Sequence, residues 1–229
     1  MNNQVANLHI YGGHGDWLQF SSLVKHYADT HKNVFLSSDA FRKELFELLF
    51  YKYDNIKIGN NVGAPKHNLT WEEAVDHKSW RNIDWKRDKD LEESLYEEII
   101  CKFGKEYIII HERSLDNCNR KMLPINREYI GNKNLPVINM DINWLKANKL
   151  SIRNVLHYKK VVNNAKEIHT YEGCWHNFCD SVVENQSIKL FHHLYCKPYL
   201  FDEQMVHNRV IKLIEQNKWN KLDWKYIYD

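Results

Sequence analysis

The chain has 229 residues and a formal net charge of only +2, with 43% apolar and 27% charged side chains. This composition is typical of a globular protein with its own core, and it lacks the basic excess by which proteins bind nucleic acid. No apolar run approaches the roughly 20 residues of a membrane helix, and the first residues do not predict a signal peptide.

The first half of the chain predicts strands that alternate with helices. A buried strand leads into the loop "GGHGD", and an amphipathic helix follows the loop. Asp39 is the predicted N-cap of a second helix. The predicted elements are strands over 4–12, 33–38 and 55–59, helices over 16–32 and 40–53, an irregular polar and aromatic region over 60–90, and a helix over 90–104.

The same alternation begins again near residue 105. Ser151 is the predicted cap of an amphipathic helix. The predicted elements are strands over 105–113, 135–141, 166–172 and 188–195, and helices over 151–165, 173–186 and 202–218. Strand–helix alternation favours parallel sheets, so we expect an α/β protein with two Rossmann-like domains, 1–104 and 105–229.

Three segments resemble parts of small glycosyltransferases of the GT-B type. "GGHGDWLQ" is similar to a loop of the heptosyltransferases, and "YIIIHER" to a second-domain strand and loop of such enzymes. "AKEIHTYEGCWHNFCD" resembles the donor-site strand–turn–helix of heptosyltransferases, fucosyltransferases and some viral glycosyltransferases. The resemblance implies a compact GT-B-like fold with two domains that face a cleft. It also implies metal-independent transfer of a hexosyl or deoxyhexosyl group, without a cofactor, from a nucleotide-diphosphate sugar to a glycan or other hydroxyl acceptor.

The glycine loop is the predicted acceptor side. It lacks the G-x-G-x-x-G spacing of dinucleotide sites and the lysine of a P-loop. The resemblance makes Asp16 the general base, beside His14, and we expect Gly13, Gly15 and Gln19 to approach the acceptor. The alternative is that Asp16 only caps the following helix.

The segment "HER" ends the strand over 105–113, where ligands of open α/β sheets bind. Arg113 is predicted to hold a diphosphate with its two-pronged guanidinium, and Arg120 or Lys121 to add charge. One alternative is an ordinary surface pair between Arg113 and Glu112. Another is a metal bound by His111 and Glu112, although no H-E-x-x-H motif follows.

Glu172, Gly173 and Cys174 lie where a predicted strand passes into a helix, and we assign them to the donor site. Backbone N–H groups at a helix start bind phosphate well. Cys174 stands where such enzymes often carry a hydroxyl residue, which weakens a side-chain contact but not the backbone contact. The alternative is a nucleophilic pair of Cys174 and His176, since a helix start lowers a thiol pKa.

A cluster of polar residues lies at the end of the strand over 188–195. His193 and Lys197 are assigned to the donor site. Strand alternation sends His192 and His193 to opposite faces, so one of the two is expected to be structural.

The five cysteines are odd in number and form no C-x-x-C pair, which favours reduced thiols and argues against a structural zinc site. We therefore expect a cytoplasmic protein. Two alternatives to a glycosyltransferase remain. One is a nucleotide-sugar epimerase or hydrolase, in which Asp16 or Glu172 acts on a ring proton or on water. The other is a non-catalytic sugar- or nucleotide-binding module.

Overall fold

The computed structural model describes residues 2–77, 82–112, 123–196 and 211–228, without the side chains of residues 2–4. The chain forms two compact units, Met1–Arg87 and Asp88–Asp229. Each unit contains one parallel β-sheet with helices. The expected α/β class with two parallel sheets is therefore confirmed.

The first unit carries a four-stranded sheet and three helices. Its elements are β1 (Asn2–Ile10), α1 (His14–Thr30), β2 (His31–Ser38), α2 (Lys43–Leu49), β3 (Ile56–Ile58), β4 (Lys66–Asn68) and α3 (Trp71–Asp76). The strand order in the sheet is β3-β2-β1-β4. Leu8 and Ile10 of β1 are buried, and so are Trp17, Leu18 and Leu23 of α1.

Two features of the first unit differ from expectation. The second helix begins at Lys43 with Arg42 as its N-cap, because the carboxylate of Asp39 is hydrogen-bonded to His9 and does not cap the helix. The region expected to be irregular contains β4, which pairs in parallel with β1, and α3, which Thr70 caps.

The second unit carries a five-stranded parallel sheet with helices. Its elements are α4 (Lys89–Phe103), β5 (Ile108–Ile110), β6 (Val137–Asn139), α5 (Ile142–Ala147), α6 (Lys159–Asn163), β7 (Glu167–Thr170), α7 (Cys174–Val182), β8 (Lys189–His193) and β9 (Lys225–Ile227). The strand order in the sheet is β6-β5-β7-β8-β9. Ile108, Ile109 and Ile110 of β5 are all buried, as expected for a strand covered on both faces. Of the predicted last helix, 211–215 is helical and its start lies outside the described residues.

The helix predicted over 151–165 is shorter than expected. A 3-10 turn capped by Asn154 precedes α6. Ser151 does not cap a helix, because residues 151–154 are not helical and Asn154 Oδ1 accepts from the backbone N–H of Leu156 at 3.2 Å. The backbone N–H of Ser151 donates instead to the carboxylate of Glu98 at 2.9 Å. The same contact joins α4 to the second unit, so the boundary between the units falls before α4 and not at residue 104.

Candidate functional site

The strand orders mark one position in each sheet where ligands of such folds bind. In open parallel sheets that position is the carboxyl end of two strands from which the chain continues in opposite directions. In the first unit the chain passes from β1 to β2 on one side, β4 is the last strand of the sheet and lies on the other side of β1, and the glycine loop follows β1. In the second unit the two strands are β5 and β7, which lead to His111 and to Glu172. Three predicted site segments therefore follow β1, β5 and β7.

In the glycine loop, the carboxylate of Asp16 fills the space left by the missing side chain of Gly12. Gly12 has φ of +95°, and a Cβ there would lie 2.3 Å from Asp16 Oδ2. The same oxygen accepts a hydrogen bond of 3.0 Å from the backbone N–H of Gly13. Asp16 thus caps α1, as the alternative interpretation expected, and its role as a base stays a prediction.

The other predicted acceptor residues lie in and just before α1. Gly13 precedes the helix, and His14 and Gly15 form its first turn, where His14 is exposed. Gln19 is only 3% exposed. This burial places Gln19 on the inner face of α1 and away from an open loop.

Sequence reasoning missed a hydrogen-bonded row at the carboxyl ends of β1 and β2. His9 pairs in register with Ser37, and its Nδ1 lies 2.8 Å from Ser37 Oγ. Its Nε2 lies 3.1 Å from Asp39 Oδ1. Because an ionised carboxylate only accepts, Nε2 carries the proton in the neutral ring and Nδ1 faces the Ser37 hydroxyl. The signal in the sequence is a histidine one residue from the end of β1, between the apolar residues Leu8 and Ile10.

In the second unit, the structure places the predicted donor segment as expected. Glu172 follows β7, Gly173 is the N-cap of α7, and Cys174 is the first helical residue. The N-cap residue is a glycine and so has no side chain with which to cap the helix. The three residues therefore adjoin a helix N-terminus at the carboxyl end of the sheet.

The segment after β5 is held by side chains of its own unit. Asn139 accepts from the Glu112 backbone N–H at 3.1 Å and donates to the Glu112 carbonyl at 3.0 Å. The carboxylate of Glu112 forms an ion pair with Arg127. His111 packs against Tyr171, with ring centroids 5.1 Å apart. Four residues predicted for the donor site, Arg113, Arg120, Lys121 and Lys197, lie outside the described residues.

The prediction that His192 and His193 face opposite sides of β8 is confirmed. His193 Nε2 lies 3.0 Å from His169 Nδ1 on β7, and both rings are fully buried. Burial lowers the pKa of His169 to about 4 and that of His193 to about 3, with the neighbouring histidine as a second cause for His193. Two neutral, fully buried imidazoles that share a hydrogen bond serve a structural role, and this burial argues against a contact between His193 and the sugar donor.

His169 is also hydrogen-bonded to a carboxylate on the same strand. Its Nε2 lies 3.4 Å from Glu167 Oε2, which accepts at 2.9 Å from the backbone N–H of Gly131. Burial opposes ionisation of Glu167, but the Gly131 hydrogen bond and His169 outweigh it, so the pKa of Glu167 is lowered. These contacts fix one face of β7 and β8 as a polar row within the core.

His192 faces the opposite side, against α7. Its ring stacks on that of His176, with centroids 3.7 Å apart and planes 27° apart. His176 Nδ1 lies 2.9 Å from Thr170 Oγ1, and its Nε2 lies 2.7 Å from Asn220 Oδ1. His192 Nε2 lies 3.7 Å from Glu172 Oε2. Two imidazoles thus meet the carboxylate of the predicted donor segment.

Asp180 on α7 holds the segment that carries Asn220. Its carboxylate accepts from the backbone N–H groups of Lys221 and Leu222 at 2.8 and 2.9 Å and from the indole of Trp224 at 2.8 Å. Trp224 in turn packs on His176, with ring centroids 4.4 Å apart. The segment that directly follows Asn220 is therefore held on α7 by Asp180.

No family model, curated protein or solved structure matches this chain. The helices within the described ranges lack the combination of length and apolar content that a membrane crossing requires. None of the four described cysteines, at 101, 174, 179 and 196, forms a disulfide.

Proposed function

We propose that the protein is a glycosyltransferase that moves a sugar from a nucleotide-diphosphate donor to a hydroxyl acceptor. One observation carries the proposal: the predicted donor segment, Glu172 to Cys174, follows β7 at the start of α7. A helix start at the carboxyl end of a parallel sheet is a favourable place for a diphosphate, because backbone N–H groups and the helix dipole both favour negative charge.

The donor diphosphate needs positive charge as well, since it accumulates negative charge when the glycosidic bond breaks. Arg113 follows directly after the described His111 and Glu112 at the end of β5. β5 and β7 are neighbours in the sheet, so both donor segments follow adjacent strand ends. We propose that Arg113 supplies the fork that holds the diphosphate.

Asp16 is the proposed base that takes the proton of the acceptor hydroxyl. One of its oxygens, Oδ2, accepts from Gly13, which fixes the carboxylate at the start of α1. A fixed carboxylate is suited to general-base work if the hydroxyl comes within hydrogen-bond reach.

A non-catalytic binding module is the second candidate, and the capping contact of Asp16 favours it. A carboxylate that fills the space at Gly12 and caps α1 already has a structural purpose. In this case the second unit binds a nucleotide, and no sugar is transferred.

The first experiment measures binding. The full chain is melted with a panel of nucleoside diphosphates and nucleotide-diphosphate sugars, and a ligand that binds raises the melting temperature. Arg113→Ala is expected to weaken binding of the best ligand by about 1.5–3 kcal/mol in calorimetry, the usual worth of a hydrogen bond to a charged group. Unchanged affinity with the fold intact removes Arg113 from the site, and no shift with any nucleotide contradicts both candidates.

The second experiment separates transfer from binding. Asp16→Asn keeps an acceptor for the Gly13 N–H but removes basicity, so turnover should fall about a hundredfold or more while nucleotide affinity stays constant. Asp88→Asn is the control, because the carboxylate of Asp88 also accepts a backbone N–H at a helix start, as the N-cap of α4. Equal and small changes in the turnover of both variants, or nucleotide binding without a transferred sugar, favour the non-catalytic binding module. Loss of nucleotide binding in Asp16→Asn would instead assign the glycine loop to the donor.

A further inference from the structure

We propose that Glu172, His176 and His192 form a binding site for one divalent transition-metal ion of the zinc type. One ligand atom from each of the three side chains lies within 4.8 Å of the other two. His176 and His192 are fully buried, and the Glu172 side chain is 12% exposed. Two imidazoles and a carboxylate are a ligand set that binds zinc and leaves a fourth position open.

The three ligands come from three different elements. Glu172 follows β7, His176 lies in α7, and His192 lies on β8. Thr170 and His192 are register partners on the two neighbouring strands, which brings the carboxyl ends of both strands together. The site is thus formed by the parallel pairing of β7 and β8 and by the helix that connects them.

The second layer around His176 is already in place. Asn220 Oδ1 can only accept, so the 2.7 Å contact puts the ring proton on Nε2. A histidine that binds a metal through one nitrogen commonly donates its other N–H to an oxygen in this way. The Nδ1 atom then carries the lone pair that is offered to the ion, and Asp180 holds the segment of Asn220 in position.

Binding requires two local movements. The Thr170 hydroxyl, 2.9 Å from His176 Nδ1, must turn away from that lone pair. The stacked rings of His176 and His192 must also tilt, because in-plane lone pairs of rings only 27° from parallel do not meet at one point. Zinc–nitrogen distances of about 2.0–2.1 Å bring the ligand atoms closer together than in the metal-free arrangement.

The bound ion would hold the start of α7 against the end of β8. It would therefore position Gly173 and Cys174, the residues proposed to meet the donor. Metal binding at this site is independent of glycosyl transfer and is measured without a nucleotide. His176 and His192 lie in the core of the second unit, and Glu172 is the one ligand that also belongs to the segment proposed to meet the donor.

The test uses the full chain, stripped with a chelator and titrated with Co²⁺ and then with Zn²⁺. The wild type should bind one ion per chain and show the visible absorption of four-coordinate cobalt, which zinc abolishes. Glu172→Gln and His192→Gln should each weaken binding at least tenfold, on the scale of known losses around metal sites. His67→Gln is the matched control, since His67 faces Glu73 at 2.9 Å on the exposed side of the first unit.

The metal affinity of Thr170→Val distinguishes a metal site from a cluster that is only structural. This substitution removes the hydroxyl that competes for His176 Nδ1 and keeps the side-chain shape, so it should lower the melting temperature without metal and tighten metal binding severalfold. Absence of stoichiometric binding by the wild type overturns the proposal. Wild-type affinity in Glu172→Gln, whose side chain reaches the surface and whose fold is checked by circular dichroism, overturns it as well.

Discussion

The backbone conformation of Gly12 and the position of the Asp16 carboxylate depend on each other. The positive φ of Gly12 and the carboxylate 2.3 Å from its absent Cβ leave no room for a side chain. Gly12→Ala should therefore destabilise the protein by roughly 1–3 kcal/mol, which chemical denaturation measures. Gly63→Ala is the control, since its Cβ would meet only Asn61 Oδ1 at 3.4 Å. Equal stability of both variants would contradict this account of the loop.

The residues of the candidate sites were predictable only in part. The position of Glu172, Gly173 and Cys174 at a strand–helix junction follows from local pattern, and so does the opposite orientation of His192 and His193. His9, Ser37 and Asp39 meet through the register of β1 and β2, which the local pattern of either strand does not specify. The proximity of Glu172 to His192 depends in the same way on the register of β7 and β8.

At the scale of elements, the strands that carry an apolar pattern were predictable and the others were not. The buried residues Leu8 and Ile10 made β1 predictable, and the three buried isoleucines of β5 made that strand predictable. β4 is exposed along its whole length, and its backbone pairs with the edge of β1. β9 lies at the edge of the second sheet in the same manner. Such edge strands depend on the neighbour that offers hydrogen bonds, which a local pattern does not contain.

The pairing of β7 with β8 should make stability depend on pH. The folded-state pKa values of His169 and His193, about 4 and about 3, lie below the usual 6.5 of the unfolded chain. Between those values the unfolded state binds more protons, so the stabilisation is complete above pH 6.5 and falls as the pH drops toward 4. The expected loss is on the order of a few kcal/mol, seen as a falling melting temperature.

The double variant His169→Leu/His193→Leu identifies the source of that dependence. Replacing both partners of a buried hydrogen bond by apolar groups of similar shape costs little stability. Glu167 loses its contact with His169 but keeps the Gly131 N–H at 2.9 Å and the Lys189 ammonium at 3.6 Å, so the variant should fold. Its melting temperature should fall less steeply between pH 6.5 and 4 than that of the wild type. An unchanged slope would assign the pH dependence to other groups.

At the scale of the whole molecule, each unit has its own sheet and its own buried residues. The sequence predicted two α/β halves with a boundary at residue 104, after the helix predicted over 90–104. In the structure this helix is α4. Amphipathic pattern shows that a helix has a buried face and does not show which sheet covers it. Glu98 bonds to Ser151 and Glu93 pairs with Lys160, so α4 packs within the second unit.

The boundary leads to a direct test with two fragments of the second unit. Leu95 and Ile99 of α4 are each only 2% exposed, and loss of one large buried side chain costs about 2–5 kcal/mol. The loss of the whole helix is therefore comparable to the total stability of an ordinary domain, about 5–15 kcal/mol. Residues 88–229 should fold alone and melt cooperatively in circular dichroism, whereas residues 105–229 should not. If both fragments melt with the same cooperativity, α4 is dispensable and the boundary belongs at residue 104.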